Sequence, residues 1–290
     1  MALRKLSFVD WIFALVAVVV VVGGAVMMFG RTTPPAQHQN MGPVVPASHS
    51  DGLSESESGY RFERVVMPAD RGTAVPVAFR ILGGDGMPVT RFIDNQTKQL
   101  HFFVVRDDMH VFRHVHPVLD GDTWRTSVDL PDGGAYRMFA EFIPLDTKDP
   151  LHPVVLGVPF SLAGDTDLVP VPAPDASSRT ESGYTVTRVD EPAALPLMSE
   201  RKLRFAIRAP DGSPVEALEP HLGANGHMTG FHTMLLSATH LHPVEPLGAP
   251  LINGELTFRA VFAERGEYRL FLEFRHGGRL HTAALTVAVE

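Results

Sequence analysis

Landmarks set 126 residues apart govern what this chain can fold into. Leu100-His101 and His114-Val115-His116-Pro117 recur as Gly226-His227 and His240-Leu241-His242-Pro243, with the same displacement (101 to 227, 114 to 240). Glu57-Ser58-Gly59-Tyr60 returns as Glu181-Ser182-Gly183-Tyr184, and Asp85-Gly86-Met87-Pro88-Val89 as Asp211-Gly212-Ser213-Pro214-Val215. Near the end of each copy, the run from Gly134 to Phe142 matches that from Gly266 to Phe274 at a displacement of 132, so the second copy gains six residues after its His-x-His-Pro. Such self-similarity marks a duplicated structural unit. The divider Val169-Pro170-Val171-Pro172-Ala173-Pro174 is an extended spacer by composition. These marks place repeat 1 at 59–164, a linker at 165–182 and repeat 2 at 183–290.

Within a copy the apolar runs are short: Val75–Leu82, Leu100–Val105, Val111–Val115, Tyr136–Phe142 and Val154–Leu162. Turn sequences such as Gly-Gly-Asp-Gly and Pro-Asp-Gly-Gly separate them. No long stretch of helical period follows the N-terminal region. About seven strands in each ~105-residue copy predict an all-β fold of two tandem immunoglobulin-like antiparallel β-sandwiches, and a Tyr before a late strand, Tyr136 or Tyr268, fits that class.

The N-terminal region reads differently. After Arg4 and Lys5, residues 11–30 are apolar and uncharged from Ile12 to Gly30, about the length that crosses a ~30 Å hydrocarbon core. The early cations place residues 1–10 in the cytoplasm and everything after Arg31 outside. A cleaved leader is the rival, with Gly23, Gly24 and Ala25 as small residues before a cut, but a leader's apolar region normally runs only about 7–15 residues. The expectation is a single-pass signal anchor in the cytoplasmic membrane, with the bilayer as a partner and the repeats facing the periplasm or cell exterior. Residues 31–58, rich in Pro, Ser, Gln and Gly, predict a disordered tether, where His38 and His49 read as solvated.

Net charge is −8, without a Lys/Arg-rich run, so no nucleic-acid footprint exists. Cysteine is absent, which removes disulfides, thiolate metal sites and cysteine nucleophiles. Any metal must therefore use His, Met or carboxylate, and the 14 histidines invite a positional reading.

In a strand, alternate side chains share a face, so His114 and His116 point the same way, as do His240 and His242. A hairpin with the four-residue turn 106–109 sets His101 opposite His114; the turn 232–235 does the same for His227 and His240. Three imidazoles then converge per repeat. A slip of one residue would send His101 to the other face. His152 and His281, each preceded by Leu at the start of the last strand, are fourth candidates. All-nitrogen sites suit copper, with zinc as the alternative; Met109, Met228 and Met234 lie nearby in sequence but read as core fillers. The competing reading makes these packed histidines, since Phe103 and Phe112 share their face. Glu141 and Glu273 in the repeated Phe-x-Glu-Phe read as solvent-facing, or as supports for a ligand imidazole. His110, His221, His232 and His276 lack a counterpart and read as surface or loop residues. No nucleophile elbow, phosphate loop or His-Glu-x-x-His helix occurs, so a catalytic residue is not expected and the protein reads as a non-enzyme.

The tandem layout of Leu-His with His-Val-His-Pro, then Leu218-Glu-Pro-His-Leu-Gly-Ala-Asn-Gly-His227, His-Leu-His-Pro and Phe271-Leu-Glu-Phe-Arg-His-Gly-Gly278 resembles a family of bacterial secreted or membrane-anchored proteins with tandem repeats. The resemblance covers residues 59–289 and its motifs carry no established activity. It implies heavy-metal or copper handling, shared loosely with periplasmic copper-carrier β-sandwiches, although the dense methionine motif of those carriers is missing. The expected function is binding of a transition metal, copper first, at one histidine cluster per repeat. The alternative is a non-catalytic structural or interaction module for an envelope protein partner.

Overall fold

The computed structural model describes residues 50–290 except 151, 165–166 and 191–193. The expected cytoplasmic stretch, anchor helix and tether as far as 49, with His38 and His49, lie outside the described residues. Among the described residues no helix is long and apolar enough to cross a membrane. Apart from one 3-10 turn, Ile252–Gly254, the structure there is all-β.

Repeat 1 is built on β1 (Tyr60–Val66), β2 (Gly72–Leu82), β3 (Leu100–Arg106), β4 (Phe112–Val115), β5 (Thr123–Leu130), β6 (Gly134–Pro144) and β7 (Val154–Leu162). Repeat 2 repeats the plan with β8 (Thr185–Arg188), β9 (Arg201–Arg208), β10 (Gly226–His232), β11 (Ala238–Pro243), β12 (Glu255–Ala260), β13 (Gly266–His276) and β14 (Arg279–Val289). One sheet of repeat 1 runs β1-β2-β5 and the other β7-β6-β3-β4, with shorter strands at the margins. Repeat 2 has the same order, β8-β9-β12 and β14-β13-β10-β11, but β11 also pairs with β12 and fuses its sheets. This is the immunoglobulin-like sandwich topology. A tyrosine corner closes each copy: Tyr136 Oη donates to Asp132 O at 2.8 Å, and Tyr268 Oη to Glu264 Oε2 at 2.6 Å.

Strand alternation explains the packing. Even-numbered Phe102, Val104, Met138, Ala140 and Phe142 face inward to the core of repeat 1, and Met228, Leu270, Leu272 and Phe274 do so in repeat 2. The odd-numbered residues of the same strands, aromatic Phe103, Phe139, Phe231 and Phe271 with polar His101, Glu141, His227, Thr229 and Glu273 among them, are also buried, so each β7-β6-β3-β4-type sheet is covered on both faces. What covers the outer faces is the other repeat. Phe103, Val105, Met109, Phe139 and Val155 pack with Phe231 and Phe271 in a third buried cluster. Phe112 stacks on Phe271 with centroids 4.1 Å apart and planes 8° from parallel. This face-to-face arrangement brings the two histidine motifs together.

Residues 50–58 depart from the tether expectation. Ser56–Glu57 pairs with β1, Gly157 N donates to Ser54 O at 2.8 Å and Ala238 N to Asp51 O at 2.7 Å. Gly52 adopts φ +71, and a Cβ there would stand 2.4 Å from the Phe139 ring. A glycine lets the lead-in lie flat on the inter-repeat aromatic cluster, and backbone hydrogen bonds hold a segment that its composition alone would leave unfolded.

Candidate metal centre

The β3–β4 hairpin differs from the expected register by two residues: Phe103 opposes His114 and Val105 opposes Phe112. The connection is six residues, closed by Arg106 N to Val111 O and Met109 N to Arg106 O, with Met109 at φ +60. The second hairpin makes the same shift, with Thr229 opposite His240 and Leu236 at φ +60. A two-residue shift preserves the face, so each trio still lies on one side of its sheet. Each ladder with β3 or β10 ends inside the His-x-His-Pro motif. There Pro243 passes to β12, and beyond Pro117 the strand Val118–Asp120 joins β5.

In repeat 1 three ring nitrogens meet. His101 Nδ1 lies 3.1 Å from His114 Nε2 and 3.2 Å from His116 Nε2, and the three ligand atoms fall within 4.8 Å of one another. The opposite nitrogens of two rings are engaged. His101 Nε2 donates to Asn95 O at 2.9 Å, and His114 Nδ1 to Glu273 Oε2 at 2.5 Å. Carbonyl and carboxylate oxygens only accept, so those nitrogens carry the hydrogens and the inward nitrogens present lone pairs. A hydrogen on His116 Nε2 satisfies one inward contact; His101 Nδ1 against His114 Nε2 stays lone pair to lone pair, an arrangement that a proton or a metal cation relieves. Four tetrahedral nitrogens at about 2.0–2.1 Å from Zn(II) stand about 3.3 Å apart, close to the spacing here. The backbone and carboxylate contacts behind the rings are those that orient ligand imidazoles.

Repeat 2 carries the same supporting contacts. His227 Nε2 donates to His221 O at 2.7 Å, in the place of His101 to Asn95. His240 Nδ1 lies 3.3 Å from Glu141 Oε2, in the place of His114 and Glu273. His240 and His242 rings stand at 4.7 Å and 63°, against 4.7 Å and 62° for His114 and His116. Here the set is looser, against the expectation of three converging imidazoles per repeat: among the described residues only His101, His114 and His116 bring three ligand atoms within 4.8 Å of one another. His227 meets the His221 ring rather than His240 and His242, and both ring nitrogens of His240 are shielded from solvent without a well-aligned hydrogen bond. Glu141 and Glu273, read as either solvent-facing or supports for a ligand imidazole, are buried, and each reaches the other repeat's histidine while standing beside its own repeat's His101 or His227 across the sheet.

Burial lowers the His101 ring, with Glu141 opposing and the charge of His114 adding to the fall. Burial and then His114, His101, Lys98 and His221 bring His116 down to about 2. Burial holds His227 at about 3, and burial with His240 holds His242 at about 4. Burial would raise Glu141, but His240, then His101 and His114, outweigh it and hold the carboxyl low. Burial would lower His240, yet Glu141 beside it raises it. The low values leave most of the imidazoles neutral at neutral pH, the form that binds metal.

His152 and His281 do not join their assigned sets. His281 opposes Phe274 in the β13–β14 ladder, on the core face and not the face of Glu273. Its Nδ1 bonds Ser182 Oγ at 2.6 Å and its Nε2 donates to His276 O at 2.9 Å. His152 precedes β7, exposed, with Nδ1 2.7 Å from Asp149 Oδ2, and its charge is felt by His242 of repeat 2. Met109 lies in the inter-repeat cluster, Met228 in a core, and Met234 is 85% exposed. His221, read as a loop residue, sits in the turn whose carbonyl orients His227, with ring centroids 5.4 Å apart. The equal offset of Asn95 to His101 and of His221 to His227, six residues each, was the available signal.

No curated protein matches the chain. Among solved structures, the Escherichia coli adhesin FdeC is similar at 13% identity and a TM-score of 0.26, over 81% of this chain and 65% of the adhesin. Domains 4 and 5 of the S-layer protein SbsC are similar at 10% identity and a TM-score of 0.25, over 81% of this chain and 98% of that one. Invasin, described as a bacterial integrin-binding protein, is similar at 11% identity and 0.24, over 79% and 38%. The chain thus spans less than two thirds of the adhesin and of invasin. One family model matches twice, at residues 55–158 and 179–290, one match per repeat. The chain belongs to the family described as Domain of unknown function (DUF8832).

Proposed function

We propose that this is a membrane-anchored, extracytoplasmic, non-enzymatic protein whose paired sandwiches hold a transition metal ion, copper in the first place, at His101, His114 and His116. One observation carries the reading: His101 Nδ1 stands 3.1–3.2 Å from the inward nitrogens of His114 and His116, with outward nitrogens tied to Asn95 O and Glu273. Lone pairs held in that geometry favour a cation at their centre. Copper(II) heads the affinity order for such nitrogen sets, and zinc(II) fits the spacing as the alternative.

The test is thermal unfolding of the chain, purified without a histidine tag, in EDTA and then in Cu(II), Zn(II) and Ni(II). An ion at about 100 times its Kd stabilises the folded state by about 2.7 kcal/mol. A rise in Tm largest with Cu(II), and clearly smaller in His101→Ala, supports the reading; no rise with any metal contradicts it. A second reading has its own observation. The aromatic cluster of Phe103, Phe112, Phe139, Phe231 and Phe271 docks the repeats by itself, so a structural or interaction module with packed histidines is what a metal-indifferent protein would leave.

A further inference from the structure

We infer that His227, His240 and His242 take a second ion of the same class, and that carboxylates exchanged between the repeats make the two ions one coupled centre. The inference rests on the metal reading proposed above and deepens it. Repeat 2 has the supporting parts that repeat 1 has, a backbone carbonyl behind His227, a carboxylate beside His240 and the same angle between His240 and His242, although His227 does not meet the other two rings as His101 does in repeat 1, so the ion must draw it in. It also has a feature of its own. His240 Nε2 is shielded from solvent and has no hydrogen-bond partner, and a buried nitrogen of this kind costs stability until something binds it. The equivalent nitrogen in repeat 1, His114 Nε2, is the one that points into the trio. A cation at the second set supplies what His240 Nε2 lacks.

The crossing is the other half. His114 is oriented by Glu273 of repeat 2, and His240 stands beside Glu141 of repeat 1. Glu141 and Glu273 are positioning residues, each acting through an imidazole of the opposite sandwich. Because each carboxylate also borders its own repeat's His101 or His227 across the sheet, a polar path runs His227–Glu273–His114–His101–Glu141–His240. Neither set is complete unless the sandwiches are docked.

The test is metal stoichiometry and affinity by equilibrium dialysis of the full chain against Cu(II) and Zn(II). Wild type should hold two ions and the His114→Ala/His116→Ala variant one. In that variant background, Glu141→Gln should weaken the remaining ion by about 10–100-fold, the usual cost of losing an outer-shell partner, and Glu273→Gln should leave it within about twofold. Melting in EDTA checks that the variants stay folded, and Glu141→Asp, which keeps the charge but shortens its reach, replaces Glu141→Gln if the latter does not. Weakening by Glu273→Gln in place of Glu141→Gln overturns the exchange. One ion on wild type and none on the double variant overturns the second site while leaving the proposed function standing. No ion on wild type overturns both.

Discussion

The two repeats share a motif but differ in how tightly they hold it. The side chain of His114 is 3% exposed, and that of His240 17%. Phe103 accounts for the difference: its ring lies 4.5 Å from the His114 ring at 30°, and the equivalent residue in repeat 2 is Thr229, too small to do the same. A second substitution runs parallel. Phe112 stacks on Phe271, whereas its counterpart Ala238 leaves a gap by Phe139 that Asp51 and Gly52 fill with backbone. Duplication supplied two equal sets of ligands, and aromatic packing closed one of them more than the other.

That contrast can be broken at several points. The largest effect falls on His114→Ala/His116→Ala, which should remove the first ion altogether, an affinity loss beyond about 1000-fold, while His240→Ala/His242→Ala leaves the first ion bound; dialysis reads both. Next, Phe139→Ala and Phe271→Ala delete equivalent buried rings and should each cost about 3–5 kcal/mol, seen as a Tm drop of roughly 10 °C. Equal large losses would mean the interface is symmetric in energy; a smaller loss at Phe139 would mean that residues 50–54 cushion it. Phe103→Thr, which gives repeat 1 the residue of repeat 2, should weaken the first ion about tenfold and erase the difference between the sites.

The smallest effect is on pH dependence without metal. His101, His116, His221, His227 and His242 have folded pKa values below 6.5, so the unfolded chain takes up protons first as pH falls. Their stability is present above pH 6.5 and is lost as pH drops through the lowered folded values, about 4 for His242 and about 3 for His227. His240, raised by Glu141, has the opposite sign and contributes below 6.5. Five groups against one give a Tm in EDTA that falls steadily from about pH 7 to about pH 5. A Tm that rises over that range would mean that these rings are not buried neutral.

Much of this was legible in the sequence because period and parity are robust. The 126-residue displacement located both motifs, and alternation put His101, His114 and His116 on one face even though the hairpin shift was two residues from expectation. Turn geometry was the hidden element: a positive φ at Met109 and Leu236 is nothing that Met or Leu advertises. His281 failed because its register lies with Phe274, which the strand's first residues do not reveal. What covers the histidine face was invisible for a different reason. Phe103 and Phe112 beside the histidines looked equally like a core or a site, and only the docking of one repeat on the other makes them both.

X-ray absorption at the metal edge on the Cu(II)- and then the Zn(II)-loaded full chain tests the central claim most directly. The account predicts about three imidazole nitrogens at about 2.0 Å per ion, with half of the bound metal lost when His114 and His116 are replaced. A first shell dominated by oxygen, with at most one imidazole and unchanged by that replacement, would contradict it.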